Sequence, residues 1–285
     1  MGPAPFAGKR PSQGAAGGPI LGKRPRARHR LGQNFLRDEE LLDRVAAAAE
    51  VGPDDEVLEV GAGPGTLTRR LVPRARRLVA VELDERLLPA LRRAAPGAEV
   101  LAANILEVDL PSLFPAGGQI VVGNIPYYLT GALLRRILDA RPLPKRISFV
   151  VQREVAERWS GSGGWSLATV VAQTLTVPEI LFTLPPEAFD PPPRVWSALV
   201  RLEVRERPAV SIRDLTAFFR FVETVFQFRR KQLGSSLVRV TGLGRDAVVE
   251  RLEEMGIDSA RRPETLSLEE WERGYRVFAG GADPV

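Results

Sequence analysis

Five short apolar runs, each rich in residues that favour β-strands, divide the first half of the chain. They lie at residues 56–60, 78–81, 98–102, 119–123 and 146–151. Between them, apolar residues recur at helical spacing over 84–94 and 130–138, and a further helix is predicted to begin near Thr66. Strands that alternate with helices in this way are typical of a parallel sheet covered by helices on both faces. We therefore expect an α/β fold with a Rossmann-like sheet.

The pattern changes twice more along the chain. Helices are predicted over 152–158 and 165–175, and two strands, 178–183 and 195–204, flank a loop at 189–194 that three prolines make stiff. From about Pro208 the spacing is helical, beginning with a helix over 213–226. These patterns predict a sheet domain over 29–207 and a small all-α domain over 208–285.

Residues 1–28 show no periodicity and are rich in Gly, Pro, Ala and Arg, which predicts a disordered tail. The formal net charge of the chain is +5, and residues 1–30 hold seven basic residues and no acidic one. Arg-rich tails bind nucleic acid phosphates, but they also serve only to keep a protein in solution. Both interpretations of the tail remain open from the sequence.

Composition excludes several kinds of chemistry. The chain has 285 residues and no cysteine, so disulfides, thiolate nucleophiles and cysteine-based zinc sites are excluded. Its one histidine, His29, lies in the basic flank, and we expect it to be solvated or to face RNA rather than to act as a base. We expect no metal site. No apolar run approaches the roughly 20 residues that span a membrane, and no signal peptide is present, so we expect a cytoplasmic protein without a membrane segment.

A glycine-rich loop, Gly61-Ala62-Gly63-Pro64-Gly65, follows the first strand. Its G-x-G-x-G spacing differs from the dinucleotide-binding fingerprint, and Pro64 removes a backbone donor that a pyrophosphate would need. The next strand ends at Glu82, where an acidic side chain can accept hydrogen bonds from ribose hydroxyls. Together these features predict an adenosine-bearing cofactor. The alternative is an ordinary βαβ turn with Glu82 on the surface.

The fourth strand runs into Asn124-Ile125-Pro126-Tyr127-Tyr128. An Asn oxygen and a backbone carbonyl freed by the Pro turn can both accept hydrogen bonds from an exocyclic amino group, and Tyr127 offers a face for stacking. The alternative is a turn that closes a strand, with Tyr127 in the core. Because the carboxyl ends of parallel strands share one edge of the sheet, we expect four residues to converge there: Gly61, Glu82, Asn104 and Asn124.

These motifs resemble those of the ribosomal RNA adenine dimethyltransferase family, most closely its KsgA type. The similar segments extend over about residues 29–278 and are Gln33-Asn34-Phe35-Leu36, the glycine loop with Glu59-Val60, Val81-Glu82, Asn124 to Tyr128, Phe189-x-Pro-x-Pro-x-Val195-x-Ser197, Phe228-Arg229-Arg230-Lys231 and Arg262-Pro263-Glu264-Thr265-Leu266-Ser267.

The resemblance implies a class I methyltransferase that uses S-adenosylmethionine to dimethylate N6 of two adjacent adenosines near the 3′ end of 16S rRNA. Implied partners are the small-subunit rRNA and the 30S pre-ribosomal particle, and we expect a monomer. The implied cofactor contacts are Asn34, Leu36, Gly61, Gly63, Glu82, Asn104 and Asn124. The target adenine would lie against Asn124, Ile125, Pro126 and Tyr127 with Phe189 on its other face, and Arg229, Arg230 and Lys231 would contact RNA.

One cofactor position departs from the family, which usually has Asp where this chain has Asn104. Two other functions stay open: a resistance-type enzyme that dimethylates a 23S rRNA adenine, and a non-catalytic nucleic-acid-binding relative. The carboxy-terminal Arg-Arg-Lys and Pro-Glu-Thr-Leu-Ser segments favour the small-subunit enzyme over the first. The complete set of Asn124, Pro126, Tyr127 and the glycine loop argues against the second. For Phe189, the alternative is a core residue beneath its loop.

Overall fold

A computed structural model describes residues 33–280. The predicted disordered tail, 1–28, and His29 therefore lie outside the described residues. Within this range, the core is a seven-stranded sheet between two layers of helices, with four further helices towards the carboxy terminus.

The strands are β1 (Phe35–Leu36), β2 (Glu56–Val60), β3 (Arg77–Glu82), β4 (Glu99–Ala102), β5 (Ile120–Asn124), β6 (Arg146–Gln152), β7 (Thr176–Leu184), β8 (Phe189–Asp190) and β9 (Ser197–Val204). The large sheet has the order β4-β3-β2-β5-β6-β9-β7. The β2, β3, β4, β5 and β6 strands pair in parallel, whereas β9 pairs antiparallel with both β6 and β7. The strand order reverses between β2 and β5, which is where open α/β sheets bind their ligands.

The helices are α1 (Glu39–Ala48), α2 (Thr68–Leu71), α3 (Leu88–Ala94), α4 (Leu110–Leu113), α5 (Thr130–Asp139), α6 (Arg153–Trp159), α7 (Leu167–Leu175), α8 (Leu215–Phe226), α9 (Leu233–Thr241), α10 (Arg245–Glu254) and α11 (Leu268–Phe278). Successive strand residues face opposite sides of the sheet, so each strand supplies two cores. Leu58 belongs to the core that contains α5, α6 and α7, and Val57 to the core that contains α1, α2 and α3.

The carboxy-terminal helices extend the first of these cores. Phe218 of α8 and Trp271 of α11 are fully buried and belong to the same apolar cluster as the sheet residues. An ion pair between Arg135 of α5 and Glu223 of α8, with N and O atoms 3.7 Å apart, also joins the two parts. A domain boundary near residue 208 stays a prediction. None of the helices over residues 33–280 is both long and apolar enough to cross a membrane.

A two-stranded ribbon is the feature of the fold that the sequence did not predict. β1 pairs antiparallel with β8, with Phe35 opposite Asp190 and Leu36 opposite Phe189. Two residues per strand give no periodicity to detect, and the partners are far apart in sequence. The backbone N–H of Arg37 also donates to the carbonyl of Ala188 at 2.8 Å. The segment before α1 is thereby fastened to the proline-rich loop.

The helices near the glycine loop are shorter than predicted. The helix expected near Thr66 is the four-residue α2, which passes into a 3₁₀ turn at Val72–Arg74 that contains Pro73. The segment predicted as a helix over 84–94 begins with a 3₁₀ turn at Glu85–Leu87, because Asp84 caps it and Pro89 interrupts the backbone N–H series.

Candidate active site

One cavity of about 210 Å³ lies at the point where the strand order reverses. It brings together eight of the residues singled out from the sequence, namely Asn34, Gly61, Glu82, Asn104, Asn124, Ile125, Pro126 and Tyr127. They come from the segment before β1 and from the carboxyl ends of β2, β3, β4 and β5. The predicted convergence of Gly61, Glu82, Asn104 and Asn124 is therefore confirmed.

Asn124 ends β5, and its side chain is held in one orientation. Its Nδ2 donates to the backbone carbonyl of Asn34 at 2.7 Å. Since the amino end of the amide is engaged, the Oδ1 atom is the end left to accept a hydrogen bond from a ligand. The close approach of β5 to β2 at this point requires Gly123, because a Cβ there would lie 2.5 Å from the carbonyl oxygen of Val60.

The turn after Asn124 supplies a second acceptor and an aromatic ring. Ile125 donates its N–H to Val150, whereas no donor within residues 33–280 is bonded to its carbonyl. Pro126 follows with no N–H of its own, and its carbonyl accepts from Leu129. The hydroxyl of Tyr127 lies 2.8 Å from the Oγ of Ser197 at the start of β9. Burial raises the pKa of Tyr127 above its ordinary value, so the ring remains neutral at physiological pH.

The glycine loop uses its N–H groups within the protein. Gly61 and Ala62 both donate to the carbonyl of Val81, at 2.9 and 3.3 Å, and Gly63 donates to Glu82 Oε2 at 2.8 Å. Gly63 has φ +58°, and a Cβ there would lie 3.2 Å from the ring of Phe35. Because these N–H groups are engaged and α2 has only four residues, the loop forms no cradle for a pyrophosphate.

Glu82 holds the loop to the end of β3. Besides Gly63, its other oxygen accepts from the N–H of Asp84 at 2.7 Å, and the residue is 5% exposed. Burial raises the pKa of this carboxyl, while the two backbone donors act in the opposite direction. Each carboxylate oxygen has a second lone pair, so Glu82 can still accept a hydroxyl hydrogen from a ligand in the cavity. It lies at the site, and the alternative of a surface Glu is wrong.

Asn104 lines the cavity but is engaged in a local turn. Its Oδ1 accepts from the N–H of Leu106 at 3.2 Å, and its Nδ2 donates to Oε1 of Glu107 at 2.8 Å. Asp109, the neighbouring carboxylate, caps α4 through Ser112 and does not line the cavity. An acceptor for an amino group at this end of the cavity must therefore come from Asn104 or from the backbone beside it.

Three predicted residues lie elsewhere. Leu36 and Gly63 line a second, smaller cavity of about 30 Å³ on the α1 side of the glycine loop. Phe189 lines neither cavity: it is 4% exposed and packs in the core beneath the loop. Phe189 lies in β8, which pairs with β1, and its ring points into the core. This position fits the alternative of a core residue better than that of a ring against the target adenine.

Arg229, Arg230 and Lys231 lie at an exposed corner between α8 and α9. Within residues 33–280 no carboxylate lies within ion-pair distance of any of them, whereas most arginines around the sheet, such as Arg77 with Glu99 at 2.8 Å, are paired. Exposed cations without a counter-ion suit a phosphate backbone. Over the same residues, no cluster of acidic or histidine side chains is arranged to hold a metal ion.

Glu59 is an ionisable residue near the site, and the sequence did not indicate that its carboxyl would be unusual. It lines the smaller cavity, is 2% exposed, and its Oε2 makes no hydrogen bond within the described chain. Burial raises the pKa of Glu59 to about 8, and the charge of Glu82 adds to the shift. The sequence does not show which segments pack against this carboxyl, so only the three-dimensional packing identifies its buried position without a hydrogen-bond partner for Oε2.

The sheet order, with an antiparallel strand inserted between two parallel ones, and the cavity at the switch point define a class I methyltransferase fold. Residues 24–278 match the family model described as ribosomal RNA adenine dimethylase. The chain therefore belongs to the ribosomal RNA adenine dimethylase family.

Curated relatives have similar lengths. The chain is 43% identical over 261 residues to the Ribosomal RNA small subunit methyltransferase A of Pelotomaculum thermopropionicum, covering 86% of this chain and 88% of the relative. It is 38% identical over 258 residues to the protein of the same name in Desulfitobacterium hafniense, covering 89% and 92%. Among solved structures, the 23S rRNA methyltransferase ErmE is similar with a TM-score of 0.66 and 33% identity over 86% of this chain and all of that one. A dimethyladenosine transferase from Plasmodium falciparum, at 20% identity and a TM-score of 0.70 over 87% and 98% of the two chains, shares the fold.

Proposed function

We propose that this protein transfers methyl groups from S-adenosylmethionine to N6 of two adjacent adenosines near the 3′ end of 16S rRNA, within the small-subunit particle. The observation that carries the proposal is Asn124, whose amide is oriented by Asn34 so that its oxygen faces the cavity. The curated relatives, named for the small ribosomal subunit, supply the substrate class.

The residues of the cavity fit this cofactor. A glycine loop whose N–H groups are already engaged suits an adenosine that carries no phosphate, and Glu82 offers acceptors for hydroxyl groups. Asn34, Gly61 and Asn104 line the same space, and Leu36 and Gly63 support the loop from the smaller cavity. When bound, S-adenosylmethionine supplies a methyl group on a positively charged sulfonium.

The N6 amino group of adenine is a poor nucleophile, because its lone pair is delocalised into the ring. The protein must therefore make this nitrogen more nucleophilic. Asn124 Oδ1 and the Ile125 carbonyl would each accept one N–H hydrogen of that group. Two acceptors in fixed positions favour a tetrahedral nitrogen, which returns the lone pair to the nitrogen for in-line attack. Tyr127, which Ser197 holds in place, would pack against the ring. Positioning and preorganised acceptors are then the main catalytic effects.

The RNA must present an unpaired or flipped adenosine, since a base within a duplex cannot enter a cavity of this kind. Arg229, Arg230 and Lys231 would then contact phosphates, which orient the RNA without reading its sequence.

The decisive experiment is incubation with tritiated S-adenosylmethionine and unmodified 30S particles, with unmodified 50S particles in parallel, followed by mapping of the labelled nucleotide. We expect label at two adjacent adenosines of 16S rRNA. Label on 23S rRNA alone would assign the resistance-type activity instead, which the likeness to ErmE makes the second candidate. No label on either particle, from protein that binds the cofactor, would favour a binding function.

A further inference from the structure

An exposed aromatic residue, Trp196, directly precedes Ser197, the residue that bonds Tyr127 of the proposed adenine pocket. Trp196 is 48% exposed and its neighbour Val195 is 43% exposed, so the two form an exposed apolar surface. The other tryptophans differ: Trp159 and Trp271 are fully buried, and Trp165 is partly buried against the core.

The position of Trp196 is fixed from both sides. Its carbonyl accepts from the N–H of Arg153, the first residue of α6, at 3.0 Å. The next residue, Ser197, is fully buried and bonds the hydroxyl of Tyr127. Trp196 is therefore one residue away from the group that positions the aromatic ring of the pocket, and it directly precedes β9, which pairs on both sides with β6 and β7.

The chemistry around Trp196 suits RNA. Arg194 is exposed, and no carboxylate within residues 33–280 pairs with it. At the mouth of the cavity, Tyr128 is 65% exposed. A cation beside exposed aromatic rings is the arrangement that single-stranded nucleic acid uses, since every base has a face that can stack.

Flipping an adenosine out of its stack leaves the next base without a neighbour on one side. We propose that Trp196 stacks on the unpaired nucleotide adjacent to the target adenosine, with Arg194 contacting the phosphate between them. This inference rests on the proposed function, because it requires RNA to enter the Tyr127 pocket. Trp196 would act on RNA capture and on the register of the two adenosines, and it would have no role in binding the cofactor.

The test compares Trp196→Ala, Trp196→Phe and the matched control Trp165→Phe in the full-length protein. With unmodified 30S particles, we expect Trp196→Ala to raise the KM about 5- to 150-fold, the range of one lost base–aromatic stack, with kcat changed much less. Trp196→Phe should recover most of the loss, because it keeps an aromatic face. Cofactor affinity and melting temperature should match wild type, since the side chain is exposed.

Fluorescence gives an independent readout. An unmethylated fragment from the 3′ end of 16S rRNA should quench the emission of the wild-type protein and of Trp165→Phe, whereas Trp196→Phe should lose most of this quenching. An unchanged KM for Trp196→Ala together with full quenching in Trp196→Phe would overturn the proposal. Failure of the proposed function is a separate result, because then the wild-type protein itself would place no label on 16S rRNA.

Discussion

At the scale of single residues, the proposed chemistry depends on the orientation of Asn124. Its amino end is bonded to the Asn34 carbonyl, so substitution by Ala removes both the acceptor and this hydrogen bond. We expect Asn124→Ala to lower kcat by ~10²–10³, the typical cost of one preorganised polar contact, and to keep most of the RNA affinity. Single-turnover transfer to 30S particles measures the loss. Turnover close to wild type in folded protein would refute the role.

The departure at Asn104 predicts a change in cofactor affinity. A carboxylate accepts from an amino group more strongly than an amide does. Asp at this position would, however, face Glu107, which now accepts from Asn104. We therefore compare Asn104→Asp in a Glu107→Gln background with Glu107→Gln alone, and expect tighter S-adenosylmethionine binding by roughly 1 kcal/mol. Calorimetric titration decides. Equal or weaker binding would mean that Asn104 does not face the adenine amino group.

Glu59 predicts an unusual dependence of stability on pH. The folded chain keeps a proton on this carboxyl up to about pH 8, whereas the unfolded chain releases it near the ordinary value of 4.5. Between these values the folded state binds more protons, so this group makes the free energy of unfolding fall as pH rises. Glu59→Gln should therefore gain melting temperature over wild type, and the gain should grow from pH 5 to pH 8. If the difference in melting temperature between Glu59→Gln and wild type stayed constant from pH 5 to pH 8, Glu59 would not be buried in its protonated form.

At the scale of elements, the ribbon of β1 and β8 determines what Phe189 does. The ring is buried, so Phe189→Ala should lower the free energy of unfolding by about 3–5 kcal/mol, as large-to-small core substitutions do. Phe189→Leu, which keeps most of the volume, should lose much less. Chemical denaturation measures both. If Phe189→Ala instead melts like wild type and loses RNA affinity by ~1–3 kcal/mol, the ring stacks on the adenine as the family resemblance implies.

The elements also show how far sequence patterns reach. The apolar runs predicted all seven strands of the large sheet, because strand formation here depends on local sequence. The convergence of Gly61, Glu82, Asn104 and Asn124 was also predictable, because the carboxyl ends of parallel strands lie at one edge of a sheet. The burial of Phe189 and Glu59 was not predictable in this way. Both depend on which segments pack over the sheet, and that is set by partners far away in the sequence.

At the scale of the whole molecule, the basic amino-terminal segment predicts a salt effect. Seven cations without an acidic residue over 1–30 should add a sequence-independent attraction to RNA that weakens as salt rises. Deleting residues 1–28 should leave melting temperature and cofactor binding unchanged and reduce the slope of log affinity against log salt. Filter binding at several salt concentrations measures it. An unchanged slope would show that the segment serves only solubility.

The ribbon of β1 and β8 also determines at which stage of its synthesis the chain can complete the site. Phe35 is translated early, but its partner Asp190 is made much later, and β9, which places Ser197 beside Tyr127, comes later still. A nascent chain that ends soon after Tyr127 contains the glycine loop and Asn124, which bonds the Asn34 carbonyl. It lacks the strand that pairs with Phe35 and Leu36, and it lacks Ser197, which bonds Tyr127. The methyl-transfer site is therefore completed only after Ser197 has emerged from the translating ribosome, so a truncated product of stalled synthesis would carry the motifs without the activity.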